Sequence, residues 1–210
     1  MLLNPLLVLL GLTVAASAYA WSNPEVLDKG MLEPYLMSRR NDQWYRFITS
    51  GFLHADWGHL LFNMFTFYSF GGVVLTYFGR FFGNSTGTLL FLLLYLGGIV
   101  VSDLPTYFRH RQDRSYRSLG ASGGVSSVLF AAVLFYPTAG IRMFPLPVAI
   151  PGFIWAGLYL LYSYYMGRRR GDNINHDAHF YGALYGVVLT LVLVPDAAPV
   201  FWQQVAGYRF

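Results

Sequence analysis

Long apolar runs broken by short polar stretches dominate this chain. Six segments stand out, at Leu2–Trp21, Ala55–Phe78, Thr88–Val101, Ala121–Tyr136, Val148–Met166 and Phe180–Val194. The runs are long and do not alternate with period two, which favours helices over the roughly ten-residue alternating segments of a barrel. The third and fourth runs are short for a bilayer. About 16 residues make roughly 24 Å of helix against about 30 Å of hydrocarbon, which predicts tilt or termination inside the membrane. Ala18-Tyr19-Ala20 closes the first run in the manner of a cleavable leader. No Lys or Arg precedes that run, however, and Asn4-Pro5 opens it, so a retained helix is the expectation.

Composition agrees with a membrane interior. Of 210 residues, 55% are hydrophobic and only 11% charged, well below the roughly 25% charged of soluble domains. The 18 Phe and 16 Tyr suit aromatic belts at two interfaces, and the 22 Gly suit close helix contacts in lipid. Absence of cysteine excludes disulfide and thiol chemistry. The net charge of +4 is confined to loops and gives no reason to expect nucleic acid. Residues 22–54 form a long first loop rich in charges and aromatics, expected to lie in the membrane interface. The whole chain, 1–210, reads as one membrane domain, an all-α polytopic bundle of six transmembrane helices.

Candidate chemistry sits at the ends of these runs. Gly120-Ala121-Ser122-Gly123-Gly124 opens the fourth. Gly and Ser there serve close packing, yet Ser122 also lies at a helix N-terminus, whose free N–H groups favour a developing oxyanion. His179 opens the sixth run, with Gly182 and Gly186 following on the same face. Gly182-x-x-x-Gly186 is a close-contact spacing, so that face can approach the face bearing Ser122 and Ser126. A Ser–His pair is chemically sufficient: the imidazole takes the hydroxyl proton and returns it to the leaving amine. Asp177, two residues before His179, reads as a solvated loop residue. In the second run His59 and Asn63 share a face, and both can donate to an oxyanion alongside the Ser122 N–H. His54 suits a structural tie between loop and helix. Four histidines could offer nitrogens to zinc, but H-E-x-x-H and cysteine are both missing, and no metal or other cofactor is implied.

In order and placement these residues resemble the rhomboid family of intramembrane serine proteases. The likeness rests on Gly120-Ala121-Ser122-Gly123, His59-x-x-x-Asn63 and Ala178-His179-x-x-Gly182, and it runs from the first helix to the sixth. It implies Ser122 as nucleophile, His179 as general base, and His59, Asn63 and the Ser122 backbone as oxyanion hole. His54, Arg46, Gly120, Gly182 and Gly186 are implied as structural support. Two departures stand out. Gln43 occupies a place where many members have an acid near Arg46. Ser126 stands where some members pack an aromatic on the catalytic histidine.

The resemblance implies cleavage within or near transmembrane helices of single-pass or polytopic membrane proteins, in a lipid bilayer. A bacterial inner membrane is the expected location. Loops one, three and five hold eleven of the 14 Lys and Arg, so the positive-inside rule puts the Ser122 face in the cytoplasm. The family's usual topology puts it outside, and that topology is adopted. Two rival classes remain: a catalytically inactive rhomboid-like protein that binds or escorts membrane helices, and a small transporter or channel. The latter usually needs buried charge along its pathway. Oligomeric state is not legible.

Overall fold

The computed structural model describes residues 4–142, 148–169 and 174–209. Leu2 and Leu3 of the first predicted segment, and Arg170 of the last polar loop, lie outside them. Each predicted segment coincides with a helix: α1 (Pro5–Ser22), α5 (Trp57–Phe82), α6 (Asn84–His110), α7 (Ser122–Phe135), α8 (Gly152–Arg169) and α9 (His176–Leu193). Between α1 and α5 the first loop folds into α2 (Pro24–Gly30), α3 (Pro34–Met37) and α4 (Arg46–Thr49), with two 3-10 turns. After α9 the described residues form one more helix, α10 (Ala197–Ala206).

Several expectations need correction. The third segment is not short: α6 has 27 residues and continues through Ser102, Asp103 and Pro105 to His110. Its polar end was hidden because the run loses hydropathy after Val101 while the helix goes on, its buried polar groups facing protein. The sixth helix begins at His176 rather than Phe180, because Asn175 caps it by accepting the Ala178 N–H at 3.1 Å. Two antiparallel strands, β1 (Gly140–Arg142) and β2 (Ala149–Pro151), pair between α7 and α8. Among the described residues, three helices are long and apolar enough to cross a membrane: α1, α5 and α6. A fourth is reached if α9 and α10, bent by 111°, form one broken span. The protein is thus a multi-pass membrane protein of nearly all-α fold, with three to four of the six expected spans meeting that length and hydropathy. α7 shows why, since 14 residues extend only about 21 Å.

Packing places α7 at the centre. Every residue from Gly123 to Phe135 is buried, and glycine makes that possible. On α6, a Cβ at Gly98 would stand 2.9 Å from the Ser127 Cβ and 3.1 Å from the Gly124 Cα. On α9, a Cβ at Gly182 would stand 2.9 Å from the Gly123 Cα, and one at Gly186 2.6 Å from the Ser127 Cα. Backbone therefore meets backbone on two sides of α7, the arrangement small residues permit in lipid. Beneath this, Phe67 stacks on Phe91 and Tyr95, at 5.8 and 4.2 Å, within the main apolar core.

The first loop is a folded unit. Arg46, 3% exposed, donates from Nε to Gln43 Oε1 at 2.8 Å and from Nη1 to the carbonyls of Asp28 and Met31 at 2.9 and 2.7 Å. Gln43 therefore does here what a carboxylate would do, by a neutral acceptor. Thr49 adds a bond to the Gly30 carbonyl at 2.9 Å. Leu32, Met37 and Phe47 pack on Tyr107 of α6, and Leu32 pairs with Ser118 through both backbone bonds. The loop is thereby pinned two residues before Gly120.

Candidate active site

The serine turn is built by contacts from three directions. Gly120 has φ +131°, a backbone angle that L side chains rarely adopt, and its N–H donates to the Ser50 carbonyl at 3.0 Å. A Cβ there would also meet the His59 ring at 2.7 Å. The first α7 bond is Val125 N–H to Ala121 O at 2.9 Å. The N–H groups of Ser122, Gly123 and Gly124 therefore precede the helical ladder, at the positive end of its dipole. Ser122 itself is half-buried.

His54 secures the turn from below. It is fully buried, and its Nε2 accepts the Ala121 N–H at 3.4 Å. That assigns the proton to Nδ1, which donates to Ser17 Oγ at 3.0 Å, and Ser17 in turn donates to the Phe52 carbonyl at 3.0 Å. Trp21 Nε1 donates to the His54 carbonyl at 2.7 Å. Burial first, and then neighbouring His59, push the His54 pKa down to about 3, so the ring is a neutral tie between α1, the first loop and α7.

His59 lies in the first turn of α5, started by Asp56, whose carboxylate caps the His59 N–H at 2.8 Å. Its ring stands edge-on to His54 at 4.9 Å and presses on Gly120. Asn63, one turn on and buried, donates one amide hydrogen to the His59 carbonyl at 3.0 Å. An amide carries two.

α9 brings His179 to the same end of the bundle. Gly182 meets Gly123 and Gly186 meets Ser127, both pairs separated by the same sequence offset, so the helices run parallel and in register. His179, one turn before Gly182, is thus level with Gly120-Ala121-Ser122. Its ring lies nearly parallel to Tyr159 of α8, with centroids 5.9 Å apart and planes 14° apart, and edge-on to His176 at 5.7 Å. Tyr159 OH is 3.0 Å from Ser126 Oγ. Asp177 is not a loop residue: it sits in the first turn of α9 and pairs with Arg109 of α6. Thr106 adds a bond to the Asn175 side chain at 3.1 Å, fixing the start of α9 against α6.

Sequence reasoning missed Tyr159 and Ser102. Ser102 fills the space beside Gly123, where a Cβ would stand 2.7 Å from its own Cβ. The signal for Tyr159 was faint: Trp155 and Tyr159 share one face of the fifth segment, but which neighbours that face meets is not written locally.

A helical multi-pass membrane protein in which a half-buried serine opens a central helix is the class this geometry defines. The chain belongs to the Rhomboid family: the Rhomboid domain matches residues 41–196, a family that includes intramembrane serine proteases acting on membrane proteins in the bilayer. It is 31% identical over 151 residues to the "Presenilin-associated rhomboid-like protein A, mitochondrial" of Danio rerio, covering 67% of this chain and 35% of that one. It is 33% identical over 158 residues to "Rhomboid-like protein 11, chloroplastic" of Arabidopsis thaliana, covering 71% and 52%. It is 27% identical over 173 residues to the "Putative rhomboid protease YdcA" of Bacillus subtilis (strain 168), covering 80% and 77%. The chain thus spans about a third to a half of the first two relatives and most of the third.

Proposed function

We propose that this chain is an intramembrane serine endopeptidase that cleaves transmembrane helices of other membrane proteins by a Ser122–His179 dyad. The observation that carries the reading is the in-register approach of α9 to α7 through Gly182 and Gly186, with His179 one turn before Gly182 and Ser122 one residue before Gly123. In this reading His179 accepts the Ser122 proton as the hydroxyl attacks the scissile carbonyl, and the same proton then goes to the leaving amine. Water hydrolyses the acyl-enzyme by the reverse use of the imidazole. The Ser122 N–H, with His59 and Asn63, faces the oxyanion, each donor being worth about 3–4 kcal/mol in the transition state.

Substrate helices must expose a carbonyl that helical hydrogen bonds otherwise hide, so cleavage sites carry helix-weakening Gly or Pro. Lateral access past α8 fits its sparse burial, which is limited to Gly152, Ala156 and Ser163. Six membrane crossings within a single domain, a bacterial inner membrane and the serine face on the outer side complete the proposal.

Labelling of the detergent-purified chain by a fluorophosphonate tests it, with Ser122→Ala and His179→Ala in parallel. Labelling that both substitutions abolish is the expected result. A well-folded wild type that resists the probe would refute the hydrolase reading and favour a protein that only binds membrane helices.

A further inference from the structure

Tyr159 of the fifth segment touches two other helices, α7 and α9, at the height of the proposed dyad. It belongs to α8, on the inward face that also carries Ala156 and Ser163. Its ring stacks on Trp155, at 4.9 Å and 18°, and on His179, at 5.9 Å and 14°. Phe130 of α7 closes a third side at 5.8 Å. Its hydroxyl reaches Ser126 Oγ at 3.0 Å, and Ser126 lies one turn after Ser122 on the same helix.

A histidine acting as general base needs its ring plane fixed, so that one nitrogen faces the serine hydroxyl. A carboxylate commonly supplies that restraint. Here the nearest carboxylate in sequence, Asp177, is engaged by Arg109. The flat face of Tyr159 restrains the imidazole plane, since a near-parallel stack resists ring rotation. The hydroxyl contact with Ser126 fixes the height of the phenol relative to Ser122. One side chain thereby ties the ring of the base to the helix of the nucleophile.

We infer that Tyr159 is a positioning residue for the Ser122–His179 reaction, orienting His179 by ring stacking while Ser126 anchors its hydroxyl; the inference rests on the dyad proposed above. It has a mechanical consequence. α8 exposes Leu158, Leu161, Tyr162, Tyr164 and Tyr165, so the bundle holds it on a narrow seam. Outward movement of α8 breaks the stack and the hydroxyl contact together, releasing the imidazole.

The test uses the purified full chain in detergent and two readouts. The first is the fluorophosphonate labelling rate of Tyr159→Leu, Tyr159→Phe, Ser126→Ala and the Tyr159→Phe/Ser126→Ala double variant. The second is the ring-proton resonance of 13C-labelled His179, assigned by His179→Gln. Tyr159→Leu is expected to slow labelling about tenfold and to move the His179 resonance downfield by removing the ring current. Phe is expected to recover about half of that loss, leaving a deficit of about threefold, and Ser126→Ala to match it. The double variant is expected to be no worse than either single, because both remove one shared bond. Labelling of Tyr159→Leu at the wild-type rate with an unmoved resonance would overturn the role of Tyr159 while leaving the dyad intact. A wild type that does not label would overturn the dyad, and the role with it.

Discussion

Replacing Gly182 by Ala probes the contact on which the functional reading depends. The new Cβ would stand 2.9 Å from both the Cα and the carbonyl carbon of Gly123 and closer still to that carbonyl oxygen. Ordinary carbon contacts lie at about 3.5–4.0 Å, so the helices must separate by roughly 0.6–1 Å. Backbone on both sides leaves no side chain to rotate away. Overpacking of this kind costs about 1–3 kcal/mol. His179, one turn earlier on the same helix, moves with the displaced backbone, and a misplacement of about 1 Å at a reacting pair can cost about 100-fold in rate. The expected outcome is a lowered thermal midpoint in detergent and a fluorophosphonate labelling rate reduced by one to two orders of magnitude. Gly72→Ala on the exposed side of α5, where a Cβ meets nothing within 4 Å, is the control and should change neither. A Gly182→Ala protein with the midpoint and labelling rate of wild type would refute the backbone-to-backbone register of α7 and α9.

Three further outcomes are expected. Arg46→Ala leaves Gln43 Oε1 and the Asp28 and Met31 carbonyls without their cation; a loss of about 3 kcal/mol in chemical unfolding should follow, and Lys should restore only part because it lacks the planar fork. Gly120→Ala must adopt φ +131° and displace the His59 ring; a cost of about 2–3 kcal/mol is expected in the same assay, with the labelling rate falling too. Stability should also depend on pH through His54, whose folded pKa of about 3 lies below the ordinary imidazole value of 6.5. The unfolded chain binds the extra proton between these values, so stability is full above about pH 6.5 and falls as pH drops toward 3, by at most about 1.4 kcal/mol per unit. His54→Gln should flatten that slope in unfolding measured across the window.

Much of the site could be read locally. Gly120, Ser122, His59 with Asn63, and His179 with Gly182 each lie at a helix end or share a helix face, and helical periodicity alone relates their side chains. Buried polar positions were harder. The continuation of α6 past Val101 went unread because Ser102, Asp103 and Thr106 look like loop composition, yet all three are buried against protein. Asp177 looked solvated for the same reason, and only the approach of Arg109 shows otherwise.

By itself the sequence determined the chain's solvent, its helical segments and the residue types able to do chemistry, because hydropathy and periodicity act over neighbouring positions. Tertiary structure alone decided what those segments touch. It chose α7 as the central helix, since only backbone lined with Gly98, Gly182 and Gly186 can approach it on two sides. It made His54 a buried tie to Ser17 across 37 residues of chain, and it turned a tyrosine of α8 toward His179. Such contacts join residues far apart in the chain, and they depend on shapes complementary only after the helices have packed.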